Sequence, residues 1–159
     1  MLEHAFERAV RLVPEKRILT VIGPGHRRYL ETSGRSRIYG RVLEQPANRD
    51  TAPGVFLPLT HIMASDPQAT VLIFPSDHYI FPTEPFLAVM RKAADSVELS
   101  NDRVLLLGAV PDRPEAEYGW IEAAEGAADA TALVAGFREK PDPEEASALF
   151  RRGHLWNTM

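Results

Sequence analysis

Cysteine is absent from all 159 residues of the sequence. Disulfide bonds, thiolate nucleophiles and cysteine-based zinc sites are therefore excluded. No apolar run approaches the ~18 residues that a membrane-spanning helix needs, and the stretch from Met1 to His4 does not resemble a signal peptide. These absences predict a cytoplasmic protein that has no membrane as a partner.

An excess of positive charge is absent too. The chain carries 18 Lys and Arg residues against 22 Asp and Glu residues, a net charge of -4, so the charge gives no reason to expect a nucleic acid as a partner. The hydrophobic share is 45% and the charged share 25%, which are ordinary values for a globular domain. This length fits one domain, residues 1–159.

Apolar segments of two kinds alternate along the first two thirds of the chain. Apolar residues recur at helical spacing in the segments that begin after Met1, Asp50 and Glu84, which predicts a helix in each. Short runs rich in Val, Ile and Leu predict buried strands over residues 17–22, 69–74 and 103–108. This alternation predicts a parallel sheet that has helices on both faces. Two further strands, 118–122 and 132–137, have no helix between them and predict an appended antiparallel pair. The predicted fold class is α/β, with a Rossmann-like, mostly parallel sheet.

The most apolar of these predicted strands stops at Pro75 and is followed at once by Ser76, Asp77 and His78. Ligands bind at the carboxyl ends of strands in open α/β sheets. An aspartate at such a position can hold a divalent cation through its oxygen atoms. The alternative is that Asp77 only caps the next turn, and position alone does not decide between the two.

A second candidate segment precedes the helix predicted over residues 51–65. Asp50 or Thr51 can cap its first turn, where Pro53 is well tolerated, while Pro58 should bend its middle. Free amides at the start of the helix could receive an anionic ligand. From these residues alone, a plain capped helix is the favoured interpretation.

Five segments, in order along the chain, resemble the motifs of the sugar-1-phosphate nucleotidyltransferases, and within them the guanylyltransferases that act on mannose-1-phosphate. They are Gln45-Pro-Ala-Asn-Arg-Asp-Thr-Ala-Pro53, Phe74-Pro-Ser-Asp-His78, Tyr118-Gly-Trp-Ile-Glu122, Phe137-Arg-Glu-Lys-Pro141 and Leu155-Trp-Asn-Thr158. Each segment is short, but five in the family's order are a specific signal.

The resemblance implies an enzyme that forms GDP-mannose and pyrophosphate from GTP and mannose-1-phosphate with Mg²⁺ as cofactor. It implies the following roles: nucleotide binding by Arg49, Asp50, Thr51, Ser76 and Asp77; metal binding by Asp77; catalysis by Asp77 and Lys140; sugar binding by Tyr118, Gly119, Glu139 and Asn157. Two alternatives stay open, a non-catalytic relative that binds a sugar nucleotide or acts as a regulatory subunit, and an enzyme of the same fold that uses another base or sugar. A homodimer also stays open.

The sequence departs from this family in three ways. Asp50 stands where the family has Asn, which exchanges a donor-acceptor amide for an acceptor. The family's opening strand and Gly-rich triphosphate loop have no counterpart before the first helix. The sequence also ends within the Trp-Asn motif, before the stretch in which the family carries its second metal-binding Asp. We therefore expect a nucleotidyltransferase domain that is incomplete at both ends and inactive as the 159-residue chain alone.

Overall fold

A computed structural model describes residues 1–32, 40–100, 102–124 and 131–157. The chain divides into two compact units, Met1–Arg103 and Val104–Met159. The part of the chain that the structure describes contains no helix long and apolar enough to cross a membrane.

The first unit contains most of the helices. Its elements are α1 (Leu2–Ala9), a 3₁₀ turn (Glu15–Arg17), β1 (Leu19–Ile22), α2 (Arg27–Thr32), β2 (Arg41–Glu44), α3 (Thr51–Ser65) and α4 (Thr83–Leu99). Strands β1 and β2 pair in parallel, with Leu19 opposite Arg41 and Ile22 opposite Glu44. This pair confirms the parallel part of the predicted fold. Helix α3 starts where the sequence predicts and continues through Pro58.

Helices α1 and α4 supply most of the buried apolar side chains of this unit, together with Ile22 of β1. Helix α1 buries Ala5 and Phe6 and ends at Ala9, although the spacing of the apolar residues Leu2, Phe6, Val10 and Val13 predicts a helix that continues to Pro14. Helix α4 buries Leu87 and Met90. The ring of Phe86 in α4 packs against Phe74, at 5.8 Å between centroids.

Two of the predicted buried strands do not form. Residues 69–74 and 103–108 have no strand pairing in the described parts of the chain, and Val71, Ile73 and Val104 are exposed. An apolar run indicates side chains that favour burial, but a strand also needs a neighbouring backbone to pair with its N–H and C=O groups. Ala109, just after the second segment, exchanges two backbone hydrogen bonds with Trp156, but among the described residues this pairing does not extend into residues 103–108. These two predictions are therefore wrong.

The second unit is built on an antiparallel sheet. Strands β3 (Gly119–Ala123) and β4 (Val134–Arg138) pair as predicted, with Ile121 opposite Phe137. A strand that was not predicted, β5 (Leu155–Asn157), pairs with the other edge of β3, giving the order β4-β3-β5. The chain therefore combines helices with a parallel and an antiparallel sheet, which confirms the predicted α/β class.

Helix α5 (Pro143–Arg151) covers one face of this sheet. Its first turn is capped by Asp142, whose carboxylate accepts the N–H groups of Glu144 and Glu145 at 3.0 and 2.8 Å. Its buried residues, Ala146 and Leu149, pack with two tryptophans of the sheet, Trp120 and Trp156. The face that carries the tryptophans is thereby closed, and the residues of the opposite face alternate with them along β3 and β5.

Candidate functional site

Three of the predicted sugar-binding residues meet on the second unit's sheet. Gly119 at the start of β3 lies opposite Asn157 at the end of β5, and Glu139 follows the last residue of β4. A β-carbon placed on Gly119 would lie 2.8 Å from Oε2 of Glu139 and 3.3 Å from Cβ of Asn157. We call Gly119, Glu139 and Asn157 the sheet-end cluster.

Phe137 belongs beside this cluster, although the sequence motifs gave it no role. Its Cζ would lie 2.8 Å from the same β-carbon. A signal for it was present, because residues two apart on a strand share a face and Phe137 precedes Glu139 by two. The space over Gly119 is therefore occupied by Glu139 and Phe137. That a sugar approaches the backbone of Gly119 stays a prediction.

Tyr118 lies next to the cluster but contacts another group. Its ring meets the edge of Trp156 at 5.2 Å between centroids. The guanidinium of Arg113 lies over the same Trp156 ring at 5.4 Å and pairs with Glu115 at 3.3 Å. The pKa of the Glu115 carboxyl is lowered, mainly by the hydrogen bond from the N–H of Glu117 and to a smaller extent by Arg113. These contacts fix the segment that leads into β3.

Two of the predicted site residues have strained backbones. Asp50 has φ 64° and ψ -167°, and Lys140 has φ 44°. Within the described residues, they are the non-glycine positions that have positive φ. Such conformations cost roughly 1–3 kcal/mol each and concentrate at functional sites. Nothing in the sequence pattern revealed this strain.

Asp50 immediately precedes α3, as predicted, but its carboxylate accepts no N–H from that helix. A capping side chain works from an extended backbone, and the backbone of Asp50 is not extended. The prediction of a capping side chain at Asp50 is therefore wrong, and Thr51 is the first helical residue rather than the cap. Arg49, Asp50 and Thr51 are all exposed.

Asp77 and Ser76 form an exposed turn in the first unit. The carbonyl of His78, the next residue, accepts a hydrogen bond from Nη2 of Arg8 at 2.9 Å. Among the described residues, no group of three His, Asp or Glu side chains could hold a metal ion. Mg²⁺ commonly binds through one or two carboxylates together with substrate phosphates. A single exposed carboxylate fits that mode of binding and does not fit a site made by the protein alone.

The predicted residues divide between the two units. Arg49, Asp50, Thr51, Ser76 and Asp77 lie in Met1–Arg103, and Tyr118, Gly119, Glu139, Lys140 and Asn157 lie in Val104–Met159. The second unit brings its sugar-side residues together in the sheet-end cluster. In the first unit, no described hydrogen bond or ion pair joins residues 49–51 to the Ser76–Asp77 turn.

Comparison with known proteins gives a consistent result. The sequence profile of the nucleotidyl transferase family matches residues 1–159. The mannose-1-phosphate guanylyltransferase of Escherichia coli K12 is 34% identical over an alignment of 132 positions, which covers 77% of this chain and 27% of the relative. The mannose-1-phosphate guanylyltransferase RfbM of Salmonella typhimurium is 27% identical over an alignment of 165 positions, gaps included, which covers 99% of this chain and 33% of the relative.

A solved structure matches the fold over nearly the whole chain. The crystal structure described as mannose-1-phosphate geranyltransferase from Thermus thermophilus superposes with a TM-score of 0.83 at 31% identity. The match covers 98% of this chain and 44% of the solved one. The two curated relatives are also much longer than this chain, which spans 27% of the length of the E. coli protein and 33% of the length of RfbM.

Proposed function

The chain belongs to the nucleotidyl transferase family, and from that premise we propose that it serves the synthesis of GDP-mannose and pyrophosphate from GTP and mannose-1-phosphate. The observation that carries the proposal is the sheet-end cluster, in which Glu139 and Asn157 flank Gly119. The names of the relatives at 34% and 27% identity support the choice of substrates. Because the chain spans about a quarter to a third of those relatives, the activity and both substrates belong to the proposal.

The chemistry of the cluster suits a hexose. A carboxylate accepts hydrogen bonds and a carboxamide both donates and accepts them, so Glu139 and Asn157 can together satisfy several sugar hydroxyls. Glu139 is exposed and Asn157 is half-buried, so both can be reached from solvent. Tyr118, a residue that is 38% exposed, would border the same ligand.

The transfer would need charge neutralisation more than a nucleophilic side chain. A phosphate oxygen of mannose-1-phosphate would attack the α-phosphorus of GTP, and the bond from that phosphorus to pyrophosphate would break. Lys140 would stabilise the negative charge that accumulates on the phosphates. Mg²⁺ bound by Asp77 together with the phosphates would supply further electrostatic stabilisation. Arg49, Asp50, Thr51 and Ser76 would hold the nucleotide.

The first test is a binding measurement on the 159-residue chain by isothermal titration calorimetry. GDP-mannose, ADP-mannose and GDP-glucose form a matched set, in which the second ligand changes only the base and the third changes only one sugar stereocentre. We expect GDP-mannose to bind at least tenfold more tightly than either of the others. Equal affinities for GDP-mannose and ADP-mannose would contradict the choice of guanine, and preference for GDP-glucose would contradict the choice of mannose.

The second test concerns turnover. The chain replaces the matching segment of the E. coli relative, and pyrophosphate and GDP-mannose are measured with GTP, mannose-1-phosphate and Mg²⁺. The proposal predicts an active hybrid and no detectable product from the 159 residues alone. A hybrid that folds and binds GDP-mannose but forms no product would favour a non-catalytic relative instead.

A further inference from the structure

Arg8 is a buried cation that has few partners. It lies in α1 beside Phe6, and only 5% of its surface is exposed. Its Nη2 donates to the carbonyl of His78 at 2.9 Å, and its buried Nε has no hydrogen-bond partner among the described residues. Burial lowers the pKa of the guanidinium. The group nevertheless stays protonated at neutral pH, because the ordinary pKa of arginine lies far above neutrality.

Packing alone does not explain an arginine at this position. A buried charge is unfavourable unless it is paired, and an apolar side chain of similar volume usually replaces it without loss of stability. Within the described part of the chain, no carboxylate forms an ion pair with Arg8. Arg11, three residues further and just after the end of α1, is the opposite case, since it is exposed and pairs with Glu84 of α4.

The group that Arg8 does contact is the backbone next to Asp77. The preceding residues, 69–75, have no strand pairing in the described chain, and Asp77 itself is in an exposed turn. The ring contact between Phe74 and Phe86 holds the segment on one side of this turn. The bond from Arg8 to His78 holds it on the other side.

We propose that Arg8 is a positioning residue, whose hydrogen bond to the carbonyl of His78 fixes the turn that presents the carboxylate of Asp77. The purpose assigned to that carboxylate, metal and nucleotide binding, rests on the proposed function. The positioning itself is a property of the first unit and can be measured without turnover. A guanidinium is suited to it because the side chain reaches across the interior and ends in a directional fork of N–H donors.

The experiment compares Arg8→Met, which keeps an unbranched apolar stem and removes the guanidinium donors, with the control Arg11→Met, which makes the same exchange at an exposed arginine just after the end of α1. Backbone ¹⁵N relaxation gives order parameters for residues 76–79. Titration with Mn²⁺ and GTP gives the Mn²⁺ concentration that halves the Asp77 amide signal. We expect the order parameters of Arg8→Met to fall from about 0.85 to below about 0.6 at these residues only. We also expect at least threefold more Mn²⁺ to be needed.

Three outcomes separate positioning from packing. Arg11→Met should leave the turn unchanged, and Arg8→Lys, which retains a charged donor, should recover part of the order. If Arg8→Met leaves both measurements at the wild-type values, or lowers order throughout residues 1–100 equally, the proposal is overturned. Should Arg8→Met fail to fold, Arg8→Gln takes its place, because its amide nitrogen reaches only as far as the unpartnered Nε of Arg8 and stops two bonds short of the Nη2 that bonds to His78. A folded Gln variant should therefore lose order at residues 76–79, and wild-type order in that variant would overturn the proposal.

A separate variant tests the proposed function on the same samples. Asp77→Asn removes the metal ligand and leaves Arg8 in place. If this variant shows the same Mn²⁺ broadening as the wild type, the metal role of Asp77 is wrong. The order parameters of the Arg8 variants would still decide whether Arg8 positions the turn.

Discussion

Glu139 occupies space that exists only because residue 119 is a glycine. Its Oε2 lies 2.8 Å from the point where a β-carbon on Gly119 would be, and Cζ of Phe137 lies 2.8 Å from the same point. β-carbons essentially never approach other atoms this closely, so a side chain at residue 119 would displace both groups. The glycine thereby sets the position of the carboxylate at the end of the sheet.

The first prediction follows from this contact. Gly119→Ala should push Glu139 and Phe137 away from β3 and weaken binding of GDP-mannose by about 1–3 kcal/mol, the scale of a hydrogen bond lost to a charged group. Calorimetry on the folded variant measures the change. The matched control is Gly136→Ala on β4, whose β-carbon would meet the carboxylate end of Glu122 at 3.1 Å. Both carboxylates can shift, but the proposal assigns only Glu139 to the ligand, so displacing Glu122 in the control should leave binding unchanged. Equal loss in both variants would mean that the sheet as a whole was disturbed.

A second prediction separates sugar contacts from nucleotide contacts. Glu139→Ala and Asn157→Ala should each weaken the binding of mannose-1-phosphate by about 1–3 kcal/mol, because a hydroxyl of the bound sugar would lose its hydrogen-bond partner. Affinity for GTP should change little, since neither residue is assigned to the nucleotide. Separate titrations with the two ligands measure both effects. Equal losses for GTP and mannose-1-phosphate would show that these residues shape the site generally.

Local signals predicted much of the second unit. The alternating segments over residues 118–122 and 132–137 pair as expected, because the sequence between them leaves no room for a crossover helix. Residues 143–152 have the apolar spacing of a helix, and α5 begins at Pro143, where Asp142 caps its first turn by accepting two N–H groups. The third strand, β5, was missed because three residues are too few to show a period.

The remaining features depend on distant parts of the chain. The contact between Glu139 and Gly119 needs the register of β3 on β4, and the bond from Arg8 to His78 joins residues 70 positions apart. The positive φ of Asp50 is set by the residues around it, and its side chain alone gives no sign of it. Family motifs identified Asp50, Lys140 and Glu139 as candidates, but only the folded backbone distinguishes strained from relaxed positions.

The third prediction uses that strain. Asp50→Gly should raise the free energy of unfolding by roughly 1 kcal/mol, because glycine adopts positive φ freely and this gain exceeds its extra entropy in the unfolded chain. Chemical denaturation measures the change. The same variant should bind GTP more weakly if Asp50 contacts the base. As a control, Asp66→Gly replaces a residue with φ -152°, so it should destabilise. Destabilisation by both variants would mean that Asp50 is not strained.

The fourth prediction concerns acid stability. The pKa of Glu115 is lowered in the folded state by the N–H of Glu117 and by Arg113, while the unfolded carboxyl titrates near about pH 4.3. A depressed folded pKa gives stability that is present above the unfolded pKa and is lost as the pH falls through the folded pKa. Glu115→Gln should therefore make the melting temperature fall less steeply below about pH 4.3. Melting curves recorded from neutral pH down through this range measure the difference. Parallel curves for the two proteins would contradict the role of Glu115.

The last prediction is the most direct test of chemistry. Asp77 is exposed, so Asp77→Asn should change the melting temperature very little. In an active protein that carries this chain, the same change should reduce turnover by several orders of magnitude, because an amide is a poor ligand for Mg²⁺ and loses the charge that holds the ion near the phosphates. Pyrophosphate release at saturating GTP and mannose-1-phosphate measures the loss. The control is Asp66→Asn, whose Oδ1 still accepts the N–H of Gln68 as Asp66 does at 3.3 Å, and which should be fully active. Normal turnover by Asp77→Asn at the Mg²⁺ concentration that saturates the wild type would remove Asp77 from the mechanism. Normal turnover that returns only at a higher Mg²⁺ concentration would identify Asp77 as a metal ligand, because more Mg²⁺ then compensates for its loss.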